Sequence, residues 1–137
     1  MNSLNSKGVE YLLIGGYAVA HHGYPRATND LDVWIAATPE NADRVVDAIA
    51  EFGFDAVREE RTRFTQADQV IRMGVPPLRI EILTTIDGVT FPECFAGRVT
   101  ANLDGLEVHL ISLRDLRINK QASGRLKDLS DLEELPR

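Results

Sequence analysis

A glycine pair, Gly15-Gly16, closes an apolar run, and thirteen residues later Asp30 and Asp32 flank a single leucine. Glycine has no side chain, so a phosphate can approach its backbone N–H groups closely. A helix opening at Gly16 would add unpaired N–H groups and a positive dipole end. Acids at i and i+2 of a strand share one face, about 7 Å apart. There they suit Mg²⁺, which prefers oxygen ligands and keeps substrate phosphate in its shell. Such a metal orients phosphates, neutralises charge and lowers the pKa of an attacking hydroxyl. This is the chemistry of a nucleotide-using enzyme. A third acid, Glu81, alternates with Ile80 and Ile82 and so points away from the face those isoleucines bury. It would complete a two-metal site if its strand neighbours the Asp30–Asp32 strand. There it would act as general base toward an acceptor hydroxyl, with pyrophosphate leaving.

These residues need elements to hold them. Tyr11 to Ile14 reads as a buried strand stopped by the glycines, and Tyr17 to His22 as a short helix closed by Gly23 and Pro25. Leu31 to Ile35 is a second strand, with Asp30, Asp32 and Trp34 on one face. Thr38-Pro39 is an N-cap with proline at the first helical position. Ala42, Val45, Val46, Ile49 and Ala50 form the apolar stripe of the helix that follows, up to Gly53. From Arg61 to Asp87 the pattern favours strands, with Gln69–Met73 and Leu78–Thr84 flanking a turn at Gly74-Val75-Pro76-Pro77. A short helix is expected near Pro92–Ala96. A hairpin follows, with Val99–Leu103 and Leu106–Ile111 around Asp104-Gly105. Ser112 and Asp115 resemble a capping box that opens a helix toward Ala122. Gly124 breaks that helix, and Leu126, Leu129, Leu132 and Leu135 mark a last one. The order predicts an α+β (α/β mixed sheet) architecture, a small mixed β-sheet flanked by helices.

At 137 residues the chain is expected to be one domain, residues 1–137, large enough for a core without disulfides. The single cysteine, Cys94, excludes a Cys-rich zinc site and fits a reducing compartment. The first seven residues lack the apolar stretch of a signal peptide, and no apolar run approaches the roughly 18–20 residues that span a bilayer. A cytoplasmic protein with no membrane association is expected. The net charge of −6 argues against broad nucleic-acid binding. Residues 112–127 reverse it locally, with Arg114, Arg117, Lys120, Arg125 and Lys127 against Asp115 alone. Such a patch suits one phosphorylated ligand better than a long polyanion.

The spacing of Gly15-Gly16 and Asp30-Leu31-Asp32 resembles the hG[GS]…Dh[DE]h signature of the nucleotidyltransferase superfamily, the polymerase-β-like fold. The longer string from Leu13 to Val33, including His22-Gly23-Tyr24-Pro25-Arg26-Ala27-Thr28-Asn29, resembles the bacterial branch of AbiEii-type toxins and their short uncharacterised relatives. Arg125 to Leu132 is similar to that branch's R-x-K-D-x-x-D-L motif, and Lys120 to its upstream lysine. The likeness implies Mg²⁺- or Mn²⁺-dependent transfer of NMP from an NTP to an unidentified hydroxyl of RNA, protein or a small molecule. It also raises a toxin–antitoxin or phage-defence setting with a protein partner. In it Asp30, Asp32 and Glu81 would be the catalytic metal ligands and Gly15 and Gly16 would contact the phosphates. Lys120 would reach the triphosphate, and Asp128 would hold or orient it or the acceptor. Glu81 stands where the branch usually has Asp. The rival expectation is a noncatalytic nucleotide- or protein-binding, antitoxin-like member of the same fold.

Plainer roles stand beside these. Lys120 is equally a solvated charge, while Arg125 and Lys127 would pair with Asp128, Asp131 or Glu133 at the surface. His21 and His22 point about 100° apart on a helix and suit packing or surface positions. Arg26 and Thr28 belong to the loop entering the Asp strand, holding it or touching substrate. Cys94 is expected buried and inert, and Trp34 in the core rather than over a nucleotide base.

Overall fold

A computed structural model describes residues 2–23, 30–75, 78–103 and 105–136. The turn prolines Pro76-Pro77, the loop residues Arg26 and Thr28, and Asp104 of the second hairpin lie outside the described residues.

The apolar run β1 (Tyr11–Ile14) is buried along its whole length. It occupies the interior of the sheet, antiparallel to β2 (Asp30–Ile35) and parallel to β6 (Leu106–Leu110). A strand with neighbours on both sides and both faces covered has no polar face to show, which is why its sequence does not alternate. Beyond β2 lies β4 (Leu78–Leu83), parallel to it, and then β3 (Val70–Val75), which closes a hairpin with β4. Beyond β6 lies its hairpin partner β5 (Val99–Leu103). The mixed sheet of six strands has the order β3-β4-β2-β1-β6-β5. The β3–β4 ladder runs to Val75 opposite Leu78, so Gly74 and Val75 are strand residues rather than part of the turn.

One face of the sheet is covered by α3 (Pro39–Phe52), with α1 (Asn2–Ser6) against it. Thr38 caps α3 by accepting from the Asn41 N–H at 3.2 Å, and Ala42, Val45, Val46 and Ile49 are buried. Burying such aliphatic side chains stabilises by about 1.5–3 kcal/mol each. Asn41, itself buried, exchanges hydrogen bonds with both backbone groups of Glu10 and donates to the Ala36 carbonyl at 2.9 Å. The start of α3 is thereby tied to the strands beneath. Asp55–Thr65 is a 3₁₀ segment packed on α3, where strand had been expected from Arg61 onward. Arg58 and Arg61 anchor it to Asp47 and Asp43 of α3.

The opposite face carries α2 (Gly15–His21), α4 (Phe91–Ala96), α5 (Leu113–Ser123) and α6 (Leu126–Glu134). Ser112 caps α5 by accepting from the Asp115 N–H at 3.1 Å, and Gly124 ends it in the left-handed conformation. Trp34 is buried on this face, edge-on to Phe91, with its indole N–H on the Thr84 carbonyl at 3.3 Å. It is a core residue. Among the described residues no helix is long and apolar enough to cross a membrane.

Candidate active site

The site begins where β1 ends. Ile14 pairs with Asp32 across the β1–β2 ladder, and the chain then turns at Gly15, φ +64°, directly into α2. The helix therefore starts at Gly15, ahead of the expected Tyr17. A β-carbon on Gly15 would overlap the Asp32 Oδ2 atom. The glycine is needed twice, for its positive φ and for the space that the carboxylate occupies.

The parallel β2–β4 ladder sets Asp32 directly opposite Glu81, and the two carboxyl groups lie within hydrogen-bonding reach. Burial pushes Asp32 up to about 7, with further push from Glu81 and Asp30 and a smaller opposing pull from Lys127. Glu81 is the ionised partner. Burial would raise it too, but hydrogen bonds from Arg72 and Asp32 hold it below its ordinary value. Arg72 reaches it from β3, where it is the register partner of Glu81, with Nε 2.5 Å from Oε1. Asp32 Oδ1 is buried and has no hydrogen-bond partner among the described residues.

Asp30 opens β2 on the same face, half-buried, opposite Arg79 in the register. Its charge is felt at Asp32. Among the described residues no three Asp, Glu, His or Cys side chains are gathered as a ready metal cluster. The structure thus joins Asp32 to Glu81 and leaves Asp30 beside the pair.

The other wall is built by α5 and α6. Lys120 is buried, its Nζ 2.8 Å from Asp128 Oδ1 and 3.1 Å from Asp131 Oδ2. Ser123 donates to Asp128 Oδ2, and Arg125 donates to the same oxygen at 2.8 Å. Burial would raise Asp128, but these bonds, Lys120 first, bring it down to about 2. Lys120 is accordingly not a solvated charge. Arg125 does pair with Asp128, but that acid is interior rather than at the surface. Lys127, also expected to pair there, instead lines the cleft.

Between these walls is a cleft of about 430 Å³, within the range of small-molecule sites. Gly15, Gly16, Asp32, Glu81, Lys120 and Asp128 all line it; Asp30 does not. Arg72, Asn119 and Ser123 line it as well and had not been singled out. Arg72 was within reach of counting: a hairpin centred on Pro76-Pro77 pairs Val75 with Leu78 and hence Arg72 with Glu81. The orphaned Asp32 oxygen beside a second carboxylate fits a hard divalent cation, whose charge would replace the shared proton.

The other expected packing residues settle simply. His22 has Nε2 2.8 Å from the Ile111 carbonyl oxygen, and His21 lies edge-on to it. Cys94 is buried, with its thiol pushed up to about 12 by burial and by Asp115, which leaves it little thiolate.

The fold and cleft define a mixed α+β protein with an acidic pair, a glycine turn and a cationic wall facing one cavity. The chain belongs to the family described as "Nucleotidyl transferase of unknown function (DUF2204)", whose model it matches over residues 1–137. No curated protein matches it.

Proposed function

We propose that this chain is a metal-dependent nucleotidyltransferase, a single domain of polymerase-β-like fold, moving NMP from an NTP to a hydroxyl acceptor. One observation carries the reading: Asp32 and Glu81, from strands far apart in sequence, meet over Gly15 in a cleft whose far wall is cationic. Mg²⁺ or Mn²⁺ held by Asp32 and Glu81, with Asp30 beside them, would neutralise phosphate charge and make the acceptor hydroxyl more acidic. Gly15 and Gly16 leave room for phosphate oxygens against the backbone. The acceptor oxygen bonds to the α-phosphorus, the bond from that phosphorus to the bridging oxygen breaks, and pyrophosphate departs with its electron pair. The hydroxyl proton passes to Glu81, which Arg72 keeps ionised and aimed. Lys120 and Asp128 supply the α5–α6 wall against which the substrate lies.

The acceptor is a hydroxyl of a small molecule, a protein or an RNA end; the net charge of −6 favours the first two over a long RNA footprint. The AbiEii-type branch and a toxin–antitoxin partner rest on the sequence resemblance, and a cytoplasmic setting on the single cysteine.

Incubation with each α-labelled NTP, Mn²⁺ or Mg²⁺ and cell extract tests the reading. Label should appear on an acceptor with the wild-type protein and disappear with Asp32→Ala and Glu81→Gln. Absence of transfer from all four NTPs would overturn it. In that event retained NTP binding would favour the noncatalytic member of the fold.

A further inference from the structure

A cation serves a polyphosphate well when its donors are not already committed to carboxylates. Four cationic side chains line the cleft: Arg72, Lys120, Arg125 and Lys127. Arg72 is bonded to Glu81, Arg125 to Asp128, and Lys120 to both Asp128 and Asp131. Lys120, on α5, is also buried, as are the two acids it bonds. Lys127 differs on each count. It is exposed, stands on the first turn of α6, and makes no ion pair among the described residues. It lines the same cleft as Asp32, Glu81 and the Gly15-Gly16 turn.

We propose that Lys127, rather than Lys120, is the cation that receives the triphosphate in this cleft, and that Lys120 is a scaffold residue fixing Asp128 and the α5–α6 angle. The inference rests on the nucleotidyltransferase reading and deepens it. The ammonium of Lys127 can leave water for phosphate oxygens without abandoning a carboxylate. Lys120 cannot turn to a ligand without breaking its buried bonds to Asp128 and Asp131. The division of labour also accounts for two lysines at one wall: one sets its shape, the other meets the substrate.

Calorimetric titration of each NTP in the presence of Mn²⁺, without acceptor, tests this on wild type, Lys127→Met and Lys127→Arg. Titration of Mn²⁺ alone runs beside it. Lys127→Met should weaken NTP binding by about tenfold to a hundredfold, with the melting temperature and the affinity for Mn²⁺ alone unchanged. Lys127→Arg should recover most of the loss. Binding by Lys127→Met equal to that of wild type would overturn the inference and leave the nucleotidyltransferase reading standing. Equal losses for Mn²⁺ alone and for NTP would also overturn it, because Lys127 would then act only through the acids. A wild-type protein that binds no NTP would remove the larger reading along with this one.

Discussion

The Asp32 carboxylate occupies the space that a side chain on Gly15 would need. Gly15 also holds φ at +64°, a conformation that costs other L-residues about 1–2 kcal/mol. Gly15→Ala should therefore lower stability by at least that amount in urea unfolding and abolish nucleotidyl transfer, because the acid must move. Gly105 has φ +84° and open space around it. Gly105→Ala is the control: it should lose stability while keeping transfer.

Lys120 predicts a contrast in stability with Lys127. Lys120→Met removes the buried ammonium that bonds both Asp128 and Asp131 and should cost about 3–5 kcal/mol. Lys127→Met touches no buried partner and should stay within about 0.5 kcal/mol of wild type. Chemical denaturation of the two variants side by side decides the matter.

Asp128 and Asp32 predict opposite pH responses. Asp128 is held at about 2 when folded, against about 3.9 in an unfolded chain. Its contribution, about 2.6 kcal/mol, is present above pH 4 and lost as pH falls toward 2. Asp32 without metal is pushed up to about 7, so the folded state keeps a proton that the unfolded chain releases near pH 4. Its contribution is greatest below pH 4 and declines as pH rises toward 7. Melting temperatures in EDTA should show this decline, Mn²⁺ should remove it, and Asp32→Asn should lack it. A wild-type profile in EDTA that matches that of Asp32→Asn between pH 4 and 7 would contradict the assignment.

Gly88 predicts a linkage between a loop and the cleft. Its φ is +82°, and a β-carbon there would lie 2.6 Å from the Ala122 β-carbon on α5. The same loop is held by Asn119, which donates to the Asp87 carbonyl at 3.0 Å. Gly88→Ala should push the loop from α5, cost about 1–3 kcal/mol and weaken NTP binding, since Asp87 and Asn119 line the cleft. Adding Ala122→Gly should recover part of the loss, measured by melting temperature and titration.

Much of the site was legible because strand alternation is a strict code. Glu81 between two isoleucines, and Asp32 between Leu31 and Val33, announced their faces before any pairing was known. What could not be read was tertiary. Arg61 to Thr65 carries one apolar residue, Phe64, among polar ones, yet the segment is 3₁₀, with Phe64 buried and Arg61 bound to Asp43 of α3. Among the described side chains of α1, Leu4 alone is buried, too little for a periodic signal, and the helix packs against α3. In α6 the leucines mark the helix but not what it buries: Leu126 is 88% exposed while Asp128 and Asp131 are buried. Acids take interior positions only where a counter-charge awaits them, and Lys120 lies in a different helix.

The pairing of β2 with β4 has a consequence for how the chain matures. These parallel strands are joined across about forty residues of intervening chain, and such long-range pairing is the slow part of folding. Slippage by one residue would set Ile80 or Ile82 beside Asp32 and turn Glu81 into the apolar layer under α3. An imperfectly assembled molecule would then lose its core and its acidic pair in the same stroke. Chemical competence and correct folding are thus one event, and partly folded copies would be inert by construction.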